Sequence, residues 1–128
     1  MSIKFLDPDG LAKAGYSHVA VVTGGKTIFI SGQVAADAQG KVVGDSFEAQ
    51  LRQVFANIQL ALAGADAGLG DVVKLTTYVV GLNPARVTAF RQIRGEVFGD
   101  LRPASTLVDT GALADPAFLV EVEVIAAI

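Results

Sequence analysis

Few side chains in this sequence are equipped for chemistry. The 128 residues hold no cysteine and one histidine, His18. Disulfides, thiolate nucleophiles and histidine-built metal sites are therefore excluded, and a lone histidine inside a strand pattern supports no Ser-His-Asp triad. Acid–base work near neutral pH falls to carboxylates. One pair stands out in Leu119-Val120-Glu121-Val122-Glu123-Val124. Alternation with period two sends the three valines to one face of a strand and both glutamates to the other. The valine face packs on a core. The glutamate face meets either solvent or a cleft, and in a cleft this carboxylate pair, Glu121 and Glu123, is a candidate for proton transfer.

A second place is Leu101-Arg102-Pro103-Ala104-Ser105-Thr106-Leu107-Val108. Proline fixes φ and cannot donate to a ladder, so Arg102-Pro103 reads as a strand-entry turn that leaves Ser105 and Thr106 on opposite faces of the next strand. One of the two hydroxyls faces inward. Tyr16, after Gly15, is placed to stack on a small planar ligand or to be a half-buried aromatic. Ser31-Gly32-Gln33 offers a hydroxyl and a bare backbone that a ligand can approach, though a strand end accounts for it equally well. Arg91 follows Phe90 but lies off the apolar stripe of its helix, which by spacing alone predicts a solvated face. Arg102, before the proline, is expected to point away and form a structural ion pair. Gly25-Lys26-Thr27 ends like a phosphate-binding loop, but the required first glycine falls at Ala20 and a strand follows.

The elements that must position these groups can be read in order. Ile3 to Leu6 predicts a first strand, with turn chemistry at Asp7-Pro8-Asp9-Gly10. Ser17 to Val22 and Thr27 to Ser31, joined by Thr23-Gly24-Gly25-Lys26, predict a hairpin. Asp45 to Glu48 has a capping-box pattern, after which Leu51, Val54, Phe55, Ile58 and Leu62 recur at helical spacing. Val72 to Val80 alternates Leu75, Thr77 and Val79 against Lys74, Thr76 and Tyr78, as a strand does. Asn83-Pro84 starts a second helix whose stripe is Val87, Phe90, Ile93 (or Arg94) and Val97, ending at Gly99. A strand from Pro103 to about Thr110 and a last one from Phe118 complete the order βββαβαββ. That order argues for a single α+β domain over residues 1–128, with one mixed six-stranded sheet and both helices on one face.

Composition narrows the function. Ten basic residues against 13 acidic ones leave no basic stripe for a phosphate backbone, which argues against nucleic acid. Met1-Ser2-Ile3-Lys4-Phe5-Leu6-Asp7 has no leader pattern, and the charge-free run Gln53 to Ala65 is too short to span a bilayer. A soluble, unexported, cytoplasmic protein is expected. Apolar residues make up 52%, a large share for a small soluble monomer, so part of that surface is expected in subunit contacts.

Read together, Val97-Phe98-Gly99-Asp100, Arg102-Pro103-Ala104-Ser105-Thr106 and Leu119-Val120-Glu121-Val122-Glu123 resemble the C-terminal signature of the reactive intermediate deaminase family, also called RidA or YjgF. Gly15-Tyr16, Ile30-Ser31-Gly32-Gln33, Gly70-Asp71-Val72-Val73-Lys74 and Thr77-Tyr78-Val79 agree in order and spacing. The resemblance implies a chorismate-mutase-like sheet backed by two helices, assembled as a trimeric barrel with small-molecule clefts between subunits and no cofactor. It implies hydrolysis of an enamine or imine with release of ammonia. Glu121 would hold the water or substrate nitrogen, the Gly32 backbone would line the cleft, and Tyr16, Ser31 and Thr106 would border it. The deaminating branch carries a carboxylate-clamping arginine at the position of Ser105, so the usual 2-aminoacrylate-type substrates are not expected. The family places a cleft-facing asparagine at the point of Arg91, whose guanidinium would then take over carboxylate recognition. The other reading is a non-catalytic homotrimer that binds a metabolite.

Overall fold

A computed structural model describes residues 1–128. Its elements are β1 (Ser2–Leu6), β2 (Val19–Thr23), β3 (Thr27–Gln33), α1 (Phe47–Gly64), β4 (Val72–Val80), α2 (Pro84–Phe98), β5 (Ala104–Thr110) and β6 (Val120–Ala127), with a single 3-10 turn, Leu69–Asp71, leading into β4. The α+β class and the element order βββαβαββ are those expected. No helix is long and apolar enough to cross a membrane.

The sheet is mixed. β3, β6, β4 and β5 lie side by side in that order, β6 antiparallel to β3 and β4, and β5 parallel to β4. β3 and β4 are thus parallel to each other with α1 between them, and α2 makes the crossover from β4 to β5. Each crossover carries its helix to the same face. There the buried stripe of α1 (Leu51, Val54, Phe55, Ile58, Leu62) meets Val120, Val122 and Val124 of β6 and Leu75 and Val79 of β4 in one core. Phe55 and Phe98 meet edge to face at 5.8 Å, locking α1 to α2, and Arg52 pairs with Glu96 across the same seam at 2.8 Å. An aromatic contact of this kind adds about 1 kcal/mol to the area that both rings bury.

The strands differ from expectation in their partners. The single six-stranded sheet is divided: β1 and β2 form a separate two-stranded sheet, and β2 does not close a hairpin with β3. Non-local partners take both edges. β1 covers β2 from Ser2 opposite Thr23 to Leu6 opposite Val19, and β6 covers β3 up to the turn, where Lys26 and Ile128 exchange backbone bonds at 2.6 and 3.0 Å. The Gly24-Gly25 turn has φ of 69° and 75°, which only glycine adopts freely, so the chain still reverses there. A second correction is at the start of α1. Its cap is Ser46, whose Oγ accepts the Ala49 N–H at 3.1 Å, which moves the start one residue beyond Asp45. Asn83 caps α2 as expected, its Oδ1 accepting the Arg86 N–H at 2.9 Å.

Candidate functional site

Strand parity divides the chemistry-bearing side chains between the two faces of the four-stranded sheet. Ser105 sits opposite Leu75, which is fully buried toward the helices, whereas Thr106 sits opposite Thr76 and accepts a hydrogen bond from Lys74 Nζ on the other face. The two hydroxyls do part as the proline-led strand predicts. Glu121 pairs with Tyr78, and Glu123 accepts the Tyr78 hydroxyl at 3.1 Å, so both glutamates share the helix-free face with Thr106.

On the helix side, α2, the entrance to β5 and the Gly15-Tyr16 segment enclose a cavity of about 800 Å³. Tyr16, Phe90, Arg91, Arg94, Arg102 and Ser105 line it. Arg94 is its centre. The guanidinium carbon lies 5.9 Å from the Tyr16 ring centre and 5.3 Å from that of Phe90, and Nη1 donates to Ser105 Oγ at a long 3.5 Å. Gly15 makes room for it: a Cβ there would come within 2.7 Å of Arg94 Nη2. Burial lowers the Arg94 pKa from its ordinary range, and the neighbouring charges of Arg91 and Arg102 push the same way, with Tyr16 opposing them. No carboxylate reaches any of the three arginines, since the one ion pair within 4 Å in the molecule is Arg52–Glu96. His18 serves the same wall. Its Nε2–H points to the Ala12 carbonyl at 2.5 Å, and its ring meets that of Tyr16 edge-on at 5.3 Å.

On the helix-free face, Glu121 lies against Gly32. A Cβ on Gly32 would stand 2.6 Å from both Cδ and Oε2 of Glu121, so the bare backbone is what lets the carboxylate rest there. Ser31 borders a smaller hollow of about 280 Å³ with Phe29, Lys74, Thr76 and Glu123.

Of the residues marked from sequence, the chain brings together Tyr16, Arg91 and Ser105 in the helix-side cavity, and gathers Ser31, Gly32, Thr106 and Glu121 on the opposite side. Arg102 lines the cavity instead of forming the structural ion pair expected of it. Arg91 lines it too but is exposed, and the guanidinium that reaches Ser105 is that of Arg94. Sequence reasoning passed over Arg94 as a member of the core stripe. A charge recurring with Val87, Phe90 and Val97 on an apolar face was the available signal.

Comparison with known proteins agrees with this architecture. Residues 9–128 match the family model described as Endoribonuclease L-PSP. The chain is 36% identical to the structure of the Rid-family protein YyfB from Yersinia pestis, with a TM-score of 0.93 and 100% of both chains covered. It is 33% identical over 106 residues to a RutC family protein of Pyrococcus horikoshii, covering 82% of each. Over a shorter stretch of 66 residues, 52% of each chain, it is 33% identical to the 2-iminobutanoate/2-iminopropanoate deaminase of Salmonella typhimurium. With the signature segments in place and the fold shared end to end, the chain belongs to the endoribonuclease L-PSP family, the RidA/YjgF family.

Proposed function

We propose that this protein is a cytoplasmic homotrimer that hydrolyses a small enamine or imine. Water adds to the carbon of the C=N bond to give a carbinolamine. A proton then moves to nitrogen, the C–N bond breaks, and ammonia leaves with a carbonyl compound as the other product. Imines hydrolyse readily, so the protein need supply only orientation, a held water and one group that accepts and returns a proton. Glu121 is that group in this reading.

The observation that carries it is the contact of Glu121 with Gly32. The carboxylate is laid on a bare backbone, on the sheet face that no helix covers, where a neighbouring subunit can enclose it. Membership of a family with a named imine deaminase among the relatives supports the same chemistry. The test is ammonia release from imines generated in solution, with and without a carboxylate, by wild type and Glu121→Gln. Turnover that falls about a hundredfold in the variant, the size of a lost acid–base group, supports the assignment. An unimpaired variant removes Glu121 from it.

One observation favours a second reading, a trimer that binds a metabolite without turning it over. Ser105 and Glu121 stand on opposite faces of the sheet, so within one chain the arginine-lined cavity and the carboxylate do not converge. A protein that binds carbonyl compounds and accelerates no imine hydrolysis would establish it.

A further inference from the structure

The helix-side cavity holds three positive charges and no negative one. Arg91 and Arg94 come from consecutive turns of α2, and Arg102 comes from the entrance to β5. Acidic residues outnumber basic ones in this chain, 13 to 10, yet none of them pairs with these three arginines. Arg94 is also partly removed from water, packed between two aromatic rings, and positioned by a glycine that leaves it room. A desolvated guanidinium with no counter-ion is unfavourable unless an anion completes it. Its planar fork beside the Ser105 hydroxyl is suited to a carboxylate.

We infer that this cavity binds a small dianion, with one acidic group held by Arg94 beside Ser105 and the second by Arg91 and Arg102. The guanidinium that the deaminating branch mounts on the strand at position 105 is thus delivered here from the helix, and the two flanking arginines extend recognition to a second acidic group. As a statement about substrate, this rests on the hydrolase reading above. As a statement about binding, it stands without it.

Calorimetric titration of the full-length protein with three stable carbonyl probes tests it: 2-oxoglutarate with two carboxylates, 2-oxobutanoate with one, and butanone with none. The expected order is 2-oxoglutarate tightest, by about tenfold or more over 2-oxobutanoate, with butanone weakest and the preference shrinking at high salt. Arg94→Gln should weaken 2-oxoglutarate by about tenfold or more. Adding Ser105→Arg to that variant should restore binding of 2-oxobutanoate, because the strand again carries the clamp. Gly15→Ala keeps every charge but displaces the Arg94 head, so it should weaken 2-oxoglutarate even if Arg94→Gln fails to fold. Failure of 2-oxoglutarate to bind at millimolar concentration, equal affinity for the two acids, or wild-type affinity in Gly15→Ala overturns the inference. A protein that binds 2-oxoglutarate as described yet hydrolyses no imine keeps the anion site and discards the hydrolase. One that hydrolyses a carboxylate-free imine as fast as a dicarboxylic one keeps the hydrolase and discards the anion site.

Discussion

Gly32 has no turn to make, yet any side chain on it would collide with Glu121. The atoms in the way are the far end of a flexible side chain, so Gly32→Ala should fold normally and displace the carboxylate. Turnover should then fall about as far as in Glu121→Gln, roughly a hundredfold, with the thermal midpoint nearly unchanged. A fully active Gly32→Ala protein would show that the position of this carboxylate does not matter. Tyr78 offers a second test at the same scale, through pH. Its hydroxyl donates to Glu123, and that bond and the nearby charge raise the phenol's pKa above its ordinary 10.0. A raised folded-state value means that the bond contributes stability fully present below the free phenol's range and lost as pH rises through the folded value. Ultraviolet titration should show a phenolate step above the ordinary range that vanishes in Tyr78→Phe and shifts down in Glu123→Gln.

At the scale of elements, Gln50 does the work of a joint. It lies on α1 and is buried, its Nε2 donating to the Ala117 carbonyl at 2.8 Å and to Gly44 O at 3.2 Å while its Oε1 accepts the Leu119 N–H at 2.8 Å. One side chain thus ties the loop before α1 and the entrance to β6 to the helix. Gln50→Leu fills the space but orphans those backbone groups, and should cost about 2–4 kcal/mol, read from the urea midpoint at unchanged slope. Such a joint is invisible in sequence, where Gln50 is one more polar residue beside an apolar stripe. What could be read were features with a short period. The α1 stripe, the alternation of β4 with the ends at Val72 and Val80, and the valine face of β6 each follow from neighbours a few residues apart. Strand partnership could not be read that way, because β2 and β3 are adjacent in sequence but take their pairs from β1 and β6. The same limit hid Arg94, whose meaning depends on Ser105 and on Tyr16, far away in the chain.

For the molecule as a whole, surface is the quantity that decides. The free chain exposes 6927 Å², against about 6,400 Å² expected of a monomer of its 13.2 kDa mass. The excess is modest, and its composition is more telling than its size. Phe29 is 77% exposed in β3, beside Ile125 of β6, on the sheet face that carries Glu121 and no helix. Val21, Val22 and Phe5 in the two-stranded sheet are exposed as well. A sheet with one bare apolar-bordered face and unpaired edges is an association surface, and closed cyclic symmetry is the usual way to cover it. That surface argues for self-association without fixing the number of subunits; for the trimer proposed from the family resemblance, light scattering at micromolar concentration should give three times the chain mass. Phe29→Glu places a charge on the bare face and should shift the mass toward monomer, whereas Ala56→Glu, on the exposed side of α1, should leave it unchanged. If the helix-free face is the contact, the Phe29→Glu monomer should also lose turnover while retaining affinity for 2-oxoglutarate, because Glu121 lies on the buried side of that contact and Arg94 lies on the other side of the sheet. A wild-type monomer, or a Phe29→Glu protein that remains trimeric, would place the subunit contact elsewhere.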